Sequence, residues 1–410
     1  MADPHLDVDF CRSFFPPLAS GEVYLENAGG SYVPRQVIDA MEGYMRECQC
    51  QPGWTFASSR NARARLDRAL NLMAEAINAD RGEMMVGPST TLNVYVLAHG
   101  LAPLLPPGSE IVVTNQDHEA NGGAWRRLAD AGVIVREWRI DARSGDLDVN
   151  ALDGLLGART RLVCFPHVSN IVGSVNDVRA ITARAHAVGA MVCVDGVATV
   201  AHHLPDVKAL DVDFYLFSVY KMFGPHLAVM YAKHEHLEAA SNQNHFFHAD
   251  NAPEKLHPGG LSYESTASMA GIVDYLESVY AHHFGAKDND LRTRLGKVYE
   301  LFQVHESKLM ARALDYISAR PDIRLIGRNS SDARERAATF SITLAGRRPA
   351  EVASQLAERG ICVGHGHFYG YRCVDALGID PAEGVLRFSM THYNTVDEVD
   401  RLTAALDEIA

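Results

Sequence analysis

The sequence of 410 residues contains no long hydrophobic run. No stretch approaches the roughly 20 consecutive apolar residues that a membrane-spanning helix needs. The first ten residues, MADPHLDVDF, are acidic and have neither the basic nor the apolar region of a secretory signal peptide. We therefore expect a cytoplasmic protein that is not inserted in a membrane.

Positive charge is also scarce. The chain has 38 lysine and arginine residues against 51 aspartate and glutamate residues, which gives a net charge of −13. Proteins that bind nucleic acids need a basic face, and anionic membranes attract the same kind of surface. This charge balance therefore argues against both partners, and an anionic substrate would need a locally positive site.

Cysteines are few and scattered, and their number, seven, is odd. Without a signal peptide, this usage indicates reduced thiols. Only Cys48 and Cys50 lie close together, and their single-residue spacer does not match the common zinc spacings. Several histidines lie dispersed in predicted loops, and we expect them to pack, to form hydrogen bonds or to line a pocket. The sequence therefore predicts no metal site.

What the sequence does have is a regular alternation of strands and helices between residues 80 and 235. The predicted strands are 109–115, 133–138, 161–166, 190–195, 212–218 and 227–232, and the helices between them include 119–132, 149–155 and 177–189. Short apolar runs separated by helices are typical of βαβ units. They predict an α/β fold with a mostly parallel sheet and helices on both of its faces.

The last third of the chain has a different pattern. Helices are predicted at 264–283 and 291–320, followed by short strands, a helix at 348–360 and a closing helix at 395–410. We predict an N-terminal segment (1–25) that packs with a small α+β C-terminal domain (285–410), and a large domain between them (26–284). The polar, turn-rich segment 245–265 is long for a plain loop, and such loops are often functional.

In open α/β sheets, ligands bind beyond the carboxyl ends of the strands. The run AMVCVD ends in Asp195, and the run DFYLFSVYK delivers Ser218, Tyr220 and Lys221. An aspartate and a lysine are costly to bury unless they are paired. Other strands end near polar groups of the same kind, namely Ser89, Thr90, Thr91, Asp117, His118, Asn121, His167, Ser169 and Asn170.

These residues together offer an amine, a carboxylate, a ring that can stack, an amide and a helix start. Pyridoxal 5'-phosphate requires that set. A lysine binds its aldehyde covalently, a carboxylate keeps its pyridine nitrogen protonated, and a helix N-terminus accepts its phosphate. The residues at the strand ends therefore predict this cofactor.

Six motifs in order, from VYLENAGGSYVP (23–34) to LRFSMTHYNTVDEVDRL (386–402), resemble those of one family. The chain is similar to the fold-type I pyridoxal-phosphate enzymes of the class V aminotransferase family, in the cysteine desulfurase and selenocysteine lyase-like group. The resemblance implies a mostly parallel seven-stranded sheet flanked by helices. It also implies a homodimer with active sites at its interface, and an amino-acid substrate.

The resemblance also implies roles for individual residues. Lys221 would bind the cofactor and act as the base, Asp195 would pair with the pyridine nitrogen, and His118 would stack on the ring. The residues expected to contact the rest of the cofactor are Thr90, Thr91, Asn170, Ser218, Tyr220 and, in the partner subunit's site, Gly260. The residues expected to contact the substrate are Asn27, Asn170, His367, Tyr369 and Arg387, with Arg387 binding the α-carboxylate.

Departures from the desulfurase pattern bear on the reaction. Desulfurases have glutamine where this chain has Ala198, and histidine where it has Tyr220. The position of their nucleophilic cysteine aligns with Tyr369, and Cys373 lies four residues later. An arginine common in that run is replaced by Gly364. These differences argue against transfer of sulfur to a protein thiol.

We therefore expect a carbon–sulfur lyase that eliminates a thiol from cysteine or a cysteine S-conjugate, with Tyr369 in the pocket as a candidate proton donor to the leaving group. Four alternatives stay open at this point. The chain could be an aminotransferase, an epimerase or decarboxylating enzyme of the same family, a true desulfurase that uses Cys373, or a cofactor-binding scaffold without catalysis.

Overall fold

The computed structural model describes residues 5–286 and 289–409. Residues 1–4, which begin the predicted N-terminal segment, and residues 287, 288 and 410 of the predicted C-terminal domain lie outside the described part. The division into three units at residues 25 and 284 stays a prediction. No helix in the described part is long and apolar enough to cross a membrane.

The strands and helices are numbered in chain order. The strands are β1 (Val23–Tyr24), β2 (Met84–Gly87), β3 (Glu110–Thr114), β4 (Ile134–Trp138), β5 (Thr160–Pro166), β6 (Met191–Asp195), β7 (Phe214–Ser218), β8 (Ala228–Ala232), β9 (Ile323–Ile326), β10 (Thr339–Leu344), β11 (Ile361–Cys362), β12 (Gly364–Gly366) and β13 (Val385–Ser389). The helices are α1 (Val8–Arg12), α2 (Arg35–Cys48), α3 (Ala57–Ala76), α4 (Thr90–Leu101), α5 (Glu119–Arg126), α6 (Val149–Leu152), α7 (Val178–Ala187), α8 (His234–Ala239), α9 (Tyr263–Ser268), α10 (Ala270–Phe284), α11 (Leu291–Ser318), α12 (Pro349–Ala357), α13 (Tyr371–Ala376) and α14 (Val396–Ile409).

The large sheet has seven strands in the order β2-β8-β7-β6-β5-β3-β4. Strand β8 runs antiparallel to both of its neighbours, β2 and β7, and the other neighbouring pairs in this sheet are parallel. Successive residues of β6 enter two different cores, since Val192 and Val194 pack on one side and Cys193 on the other. The apolar runs are continuous because both faces of the sheet are covered. The structure thus confirms the predicted α/β architecture.

A second sheet lies in the C-terminal part of the chain. It is antiparallel, with the order β12-β13-β10-β9. Phe340 and Phe388, on neighbouring strands, stack with their ring centroids 5.1 Å apart, and residues of α11, α12 and α14 complete this core. The sheet and its helices match the α+β pattern predicted for this region. Because β13 is one of its central strands, Arg387 is held on rigid structure.

The N-terminal segment is tied to the C-terminal part by backbone pairing. Strand β1 pairs in parallel with β11, and Val23 lies opposite Ile361. Farther upstream, Arg12 forms an ion pair with Glu398 at 2.9 Å. These contacts bring the LENAGG turn that follows β1 next to β13, which is where the site requires it.

Helices α2 and α3 were not predicted from the sequence, and the single helix predicted at 264–283 is two helices, α9 and α10, in the structure. Helix α9 ends at Ser268 and α10 begins at Ala270, and Met269 between them keeps helical φ and ψ values of −57° and −27°. Helix α6 is also shorter than the predicted 149–155 and ends at Leu152. None of these differences alters the strand ends at which the site forms.

Candidate active site

A cavity lies at the carboxyl ends of the parallel strands, as the sheet topology requires. The predicted site residues that line it are Thr90, Thr91, His118, Asn170, Asp195, Ser218, Tyr220 and Lys221. Strands β5, β6 and β7 are consecutive neighbours in the sheet. The residues that follow them are therefore brought together although they are distant in sequence.

Lys221 follows β7 in a single 3₁₀ turn and is only 8 % exposed. Within the described residues, its ammonium nitrogen Nζ makes no hydrogen bond and no ion pair. The pKa of Lys221 is lowered to about 8, mainly by burial and also by nearby Arg387, while Asp195 and Glu26 oppose the shift. A buried amine that readily loses its proton is suited to attack an aldehyde and to act as a base.

Asp195 is the last residue of β6 and is also buried. Its Oδ1 accepts a hydrogen bond from the backbone N–H of Val197 at 2.8 Å. Burial raises the pKa of Asp195 to about 6, and the Val197 N–H and Lys221 limit the rise. A buried carboxylate whose charge has so few partners in the protein is suited to hold a cationic ring nitrogen.

The burial of the Asp195 carboxylate predicts that Asp195→Asn increases the free energy of unfolding of the cofactor-free protein. Because the folded-state pKa lies above the unfolded value, burial of the charge costs stability progressively between pH 4 and pH 6. At pH 8 the variant should be more stable than the wild type by about 2–3 kcal/mol, and the gain should vanish near pH 4. Urea unfolding from pH 4 to pH 8 measures it, and a wild type that is the more stable at pH 8 would contradict it.

Another group of residues in the cavity lining, at the start of α4, is suited to accept an anion. Ser89 caps α4, and its Oγ accepts the N–H of Leu92 at 3.2 Å. The Thr90 and Ser218 hydroxyl oxygens lie 2.8 Å apart. A helix start combines free N–H groups with the positive end of the helix dipole. Two adjacent hydroxyls at that point complete a cradle for a phosphate.

His118 caps α5 and lines the cavity. Its Nδ1 accepts the N–H of Ala120 at 3.0 Å, so Nε2 carries the proton of the neutral ring. Burial lowers the pKa of His118 to about 3, and the positive charges of Lys221 and Arg387 act in the same direction. The imidazole is therefore neutral at physiological pH and can stack on an aromatic ring without carrying charge.

Asn170 connects the cavity to the C-terminal sheet. Its side-chain Nδ2 donates to the carbonyl oxygen of Phe368 at 2.9 Å, and its own carbonyl oxygen accepts from Arg387 Nη1 at 3.2 Å. Its Oδ1 is buried without a hydrogen-bond partner in the described part of the chain. That oxygen is placed to accept a hydrogen bond from a bound ligand.

Arg387 is 2 % exposed and forms an ion pair with Glu26. The distance between Arg387 Nη2 and Glu26 Oε1 is 2.5 Å. The ring of Phe368 covers its guanidinium, with Cζ 3.7 Å from the ring centroid. Burial lowers the pKa of Arg387, while the Glu26 carboxylate raises it. Arg387 was predicted from the sequence, but Glu26 and Phe368 were not, although each is adjacent in sequence to a predicted residue.

The turn after β12 adopts an unusual backbone conformation. Phe368 and Tyr369 have φ values of 45° and 58°, in the left-handed region that non-glycine residues rarely adopt. Tyr369 is 68 % exposed, and its ring centroid lies 5.1 Å from that of His118. The turn thus places one aromatic ring on Arg387 and another at the entrance to the cavity.

Five predicted residues are not among those that line the cavity. Two of them, Tyr369 and Arg387, are described above, and the other three are Asn27, His367 and Gly260. Asn27 uses its side chain in hydrogen bonds with Ser389, Tyr393 and Asn394. His367 Nδ1 accepts a hydrogen bond from the N–H of Tyr369 at 3.1 Å. Gly260 lines a separate cavity near the start of α4. Their predicted roles towards substrate and partner subunit remain predictions.

No thiol lines the cavity in the described part of the chain. Cys373 is fully buried in α13, and burial raises the pKa of its thiol to about 12. Cys362 is partly exposed on β11, and burial raises its pKa too. Neither thiol is placed or ionised as a nucleophile requires.

A cluster of metal-ligand type, formed by Asp213, Glu235 and His236, lies at the other end of β7. The oxygens of Asp213 already accept from His236 at 2.9 Å and from the backbone N–H of Val192 at 2.7 Å. His186 also lies 2.8 Å from Asp213. These hydrogen bonds give the Asp213 carboxylate a structural role in the fold.

The fold and the residues of the site fit a class of enzyme that uses an aldehyde cofactor. Residues 23–402 match the family described as Aminotransferase class-V, and the chain belongs to this family. Enzymes of the family use pyridoxal 5'-phosphate. The unpartnered buried amine of Lys221, the buried Asp195 and the phosphate cradle all fit that cofactor.

Relatives and solved structures agree with this assignment. The chain is 34% identical to "Aminotransferase-like protein FGM3" from Gibberella zeae over 100% of both chains. It is 32% identical to "Cysteine desulfurase-like protein ustD" from Aspergillus flavus, over 98% of this chain and 91% of that protein. The crystal structure of the cysteine desulfurase CsdA from Escherichia coli superposes with a TM-score of 0.83 at 27% identity, covering 98% of each chain. These findings confirm the predicted fold type and the relationship to cysteine desulfurases.

Proposed function

We propose that this protein is a carbon–sulfur lyase that acts on cysteine or a cysteine S-conjugate. The observation that carries the proposal is a cavity with a complete set of cofactor-type residues and, in the described part of the chain, no thiol in its lining. A desulfurase needs such a thiol to accept the sulfur. A lyase needs none, because its sulfur leaves as a free thiol.

Bound pyridoxal 5'-phosphate supplies an aldehyde that reacts with amines and a ring that withdraws electrons from the substrate Cα. Lys221, Asp195, His118 and the Thr90–Ser218 pair would hold it. Arg387 would orient the substrate through its α-carboxylate.

Lys221 Nζ, with its lowered pKa, would remove the Cα proton. The Cβ–S bond then breaks, and the hydroxyl of Tyr369 at the cavity entrance would give the departing sulfur a proton. Addition of water to the remaining fragment yields pyruvate and ammonia, so one water is consumed for each thiol released.

The active unit is proposed to be a homodimer. Gly260 and Ser262 line a cavity beside β2 and the residues preceding α4. The segment around them would reach the partner subunit's phosphate site.

Replacing Cys373 with alanine tests the desulfurase alternative. Because this thiol is buried away from the cavity, we expect kcat to stay within about twofold, with stability falling by roughly 1–2 kcal/mol from the lost packing. Steady-state rates and thermal melting measure the two effects. Cys362→Ala is the matched control. Loss of turnover only in the Cys373 variant, with its fold intact, would favour a thiol nucleophile.

A second candidate is an aminotransferase. It is favoured by the name of the relative from Gibberella zeae, "Aminotransferase-like protein FGM3", which matches this chain over its full length. An aminotransferase would use the same lysine, aspartate and arginine. It would return the proton to the cofactor instead of expelling a group from Cβ.

Product analysis with L-cysteine and S-methyl-L-cysteine distinguishes the candidates. A lyase yields thiol (or sulfide), pyruvate and ammonia in equal amounts over many turnovers. An aminotransferase stops after one equivalent unless a keto acid is added, and a desulfurase converts cysteine to alanine. When the reaction is run in D₂O, deuterium at Cα of recovered substrate with inverted configuration would identify an epimerase. Release of carbon dioxide would identify a decarboxylating enzyme. Absence of thiol and pyruvate above the level of a Lys221→Ala control would overturn the proposal.

A further inference from the structure

The guanidinium of Arg387 is only partly satisfied. Its Nη1 donates to the Asn170 carbonyl oxygen at 3.2 Å, and its Nη2 donates to Glu26 Oε1 at 2.5 Å. Its Nε is buried without an acceptor among residues 5–286 and 289–409. A buried guanidinium N–H that lacks an acceptor is costly, so this edge of Arg387 is suited to receive another group.

The surroundings restrict how a carboxylate can approach. The Phe368 ring covers one face of the guanidinium, with 3.7 Å between Cζ and the ring centroid. A carboxylate that binds arginine with both oxygens lies in the guanidinium plane, along one edge. On the edge formed by Nε and Nη2, Nη2 already holds Glu26. A substrate carboxylate that takes this edge with both oxygens must therefore compete with the Glu26 oxygen.

Glu26 is itself half satisfied. Its Oε2 is buried and has no hydrogen-bond donor in the described part of the chain, while 24 % of its side chain remains exposed. Two glycines leave room for it: a Cβ on Gly29 would lie 2.5 Å from Oε1, and a Cβ on Gly364 would lie 2.8 Å from Oε2. The backbone is thus shaped around this carboxylate, and the exposed fraction gives it a direction in which to withdraw.

We propose that the carboxylate of Glu26 occupies the position on Arg387 that the substrate's α-carboxylate takes, and that the two exchange when substrate binds. This inference rests on the proposed role of Arg387 in binding the substrate. Glu26 keeps the buried guanidinium paired between turnovers, and each substrate carboxylate must displace it. The residue therefore sets the affinity of the site for carboxylates.

Binding of propionate, a carboxylate that cannot react with the cofactor, tests the exchange. Calorimetry and thermal shift are measured on the cofactor-loaded protein as wild type, Glu26→Gln and Glu26→Asp. If Glu26 occupies the position for about nine-tenths of the time, removing it tightens propionate binding roughly tenfold. We expect that gain in affinity for Glu26→Gln. We expect a smaller gain for Glu26→Asp, because its shorter side chain reaches Arg387 less well. The second variant keeps the negative charge, so it also serves as a control for a folding defect in Glu26→Gln.

Two controls complete the experiment. Arg387→Ala should abolish propionate binding in both the wild-type and the Glu26→Gln background. Glu277→Gln, which breaks a comparable ion pair with Arg294 (2.7 Å) elsewhere in the fold, should leave it unchanged.

Equal or weaker propionate binding by a folded Glu26→Gln variant would overturn the exchange, since Glu26 would then only support Arg387. Binding that survives in Arg387→Ala would overturn it too. Because propionate binding involves no turnover, the exchange can hold even if S-substituted cysteines are not cleaved. In that case only the proposed reaction fails.

Discussion

Lys221→Ala is expected to lose covalent retention of pyridoxal 5'-phosphate and to lower kcat by about 10³-fold or more, because one side chain supplies both the attachment point and the base. The measurement is the intact mass of the chain after borohydride reduction. The wild type should gain the mass of one reduced cofactor, and the variant should gain none. Turnover is followed in parallel by release of thiol from S-methyl-L-cysteine.

The matched control is Lys208→Ala, which removes a surface lysine whose ion pair with Asp80 (3.1 Å) lies outside the cavity. Exposed pairs of this kind contribute little to stability, so its mass gain and turnover should equal those of the wild type. A Lys221→Ala protein that still acquires the cofactor mass would show that another amine forms the bond. The assignment of Lys221 as the cofactor-binding lysine would then be wrong.

The second large effect is expected for Arg387→Ala. Removing one partner of a buried, hydrogen-bonded charge pair costs several kcal/mol, and we expect kcat/KM to fall roughly 10²–10³-fold, mainly through a higher KM. The variant also leaves Glu26 without its cation, so the melting temperature should drop. Separate determination of kcat and KM, together with thermal melting, measures both consequences.

Arg387→Lys keeps the charge but loses the planar fork, and it should recover only part of the lost affinity. The exposed Arg348, paired with Glu383 at 3.0 Å, offers a surface control whose replacement by alanine should leave KM unchanged. An Arg387→Ala enzyme that stays folded and keeps a normal KM would mean that the substrate carboxylate binds elsewhere.

The part of the site that was predictable from sequence lies at the ends of neighbouring strands. Asp195 and Lys221 each follow an apolar run, and such runs predict buried strands whose carboxyl ends share one edge of a sheet. The start of α4 carries its own capping signal, since Ser89 is a preferred N-cap residue. Each of these features depends on a short stretch of sequence, which is why pattern and chemistry sufficed.

Other features depend on contacts that no local pattern encodes. The pair of Glu26 and Arg387 joins residues 361 positions apart, and nothing near Glu26 in sequence reveals its partner. Asn27 has the polarity of a pocket residue, but tertiary packing directs its side chain to β13 and the residues after it. The left-handed backbone at Phe368 and Tyr369 lacks the glycine or asparagine that usually signals it.

The separation of Glu26 from Arg387 also orders events on the ribosome. At about 5–20 residues per second, the arginine is synthesised roughly 20–70 s after the glutamate. Lys221 and the residues proposed to hold the phosphate are all made before it. A nascent chain can therefore assemble its cofactor-binding residues while the glutamate still lacks its cation, and the carboxylate-binding site closes only when the last strand of the small sheet has been translated.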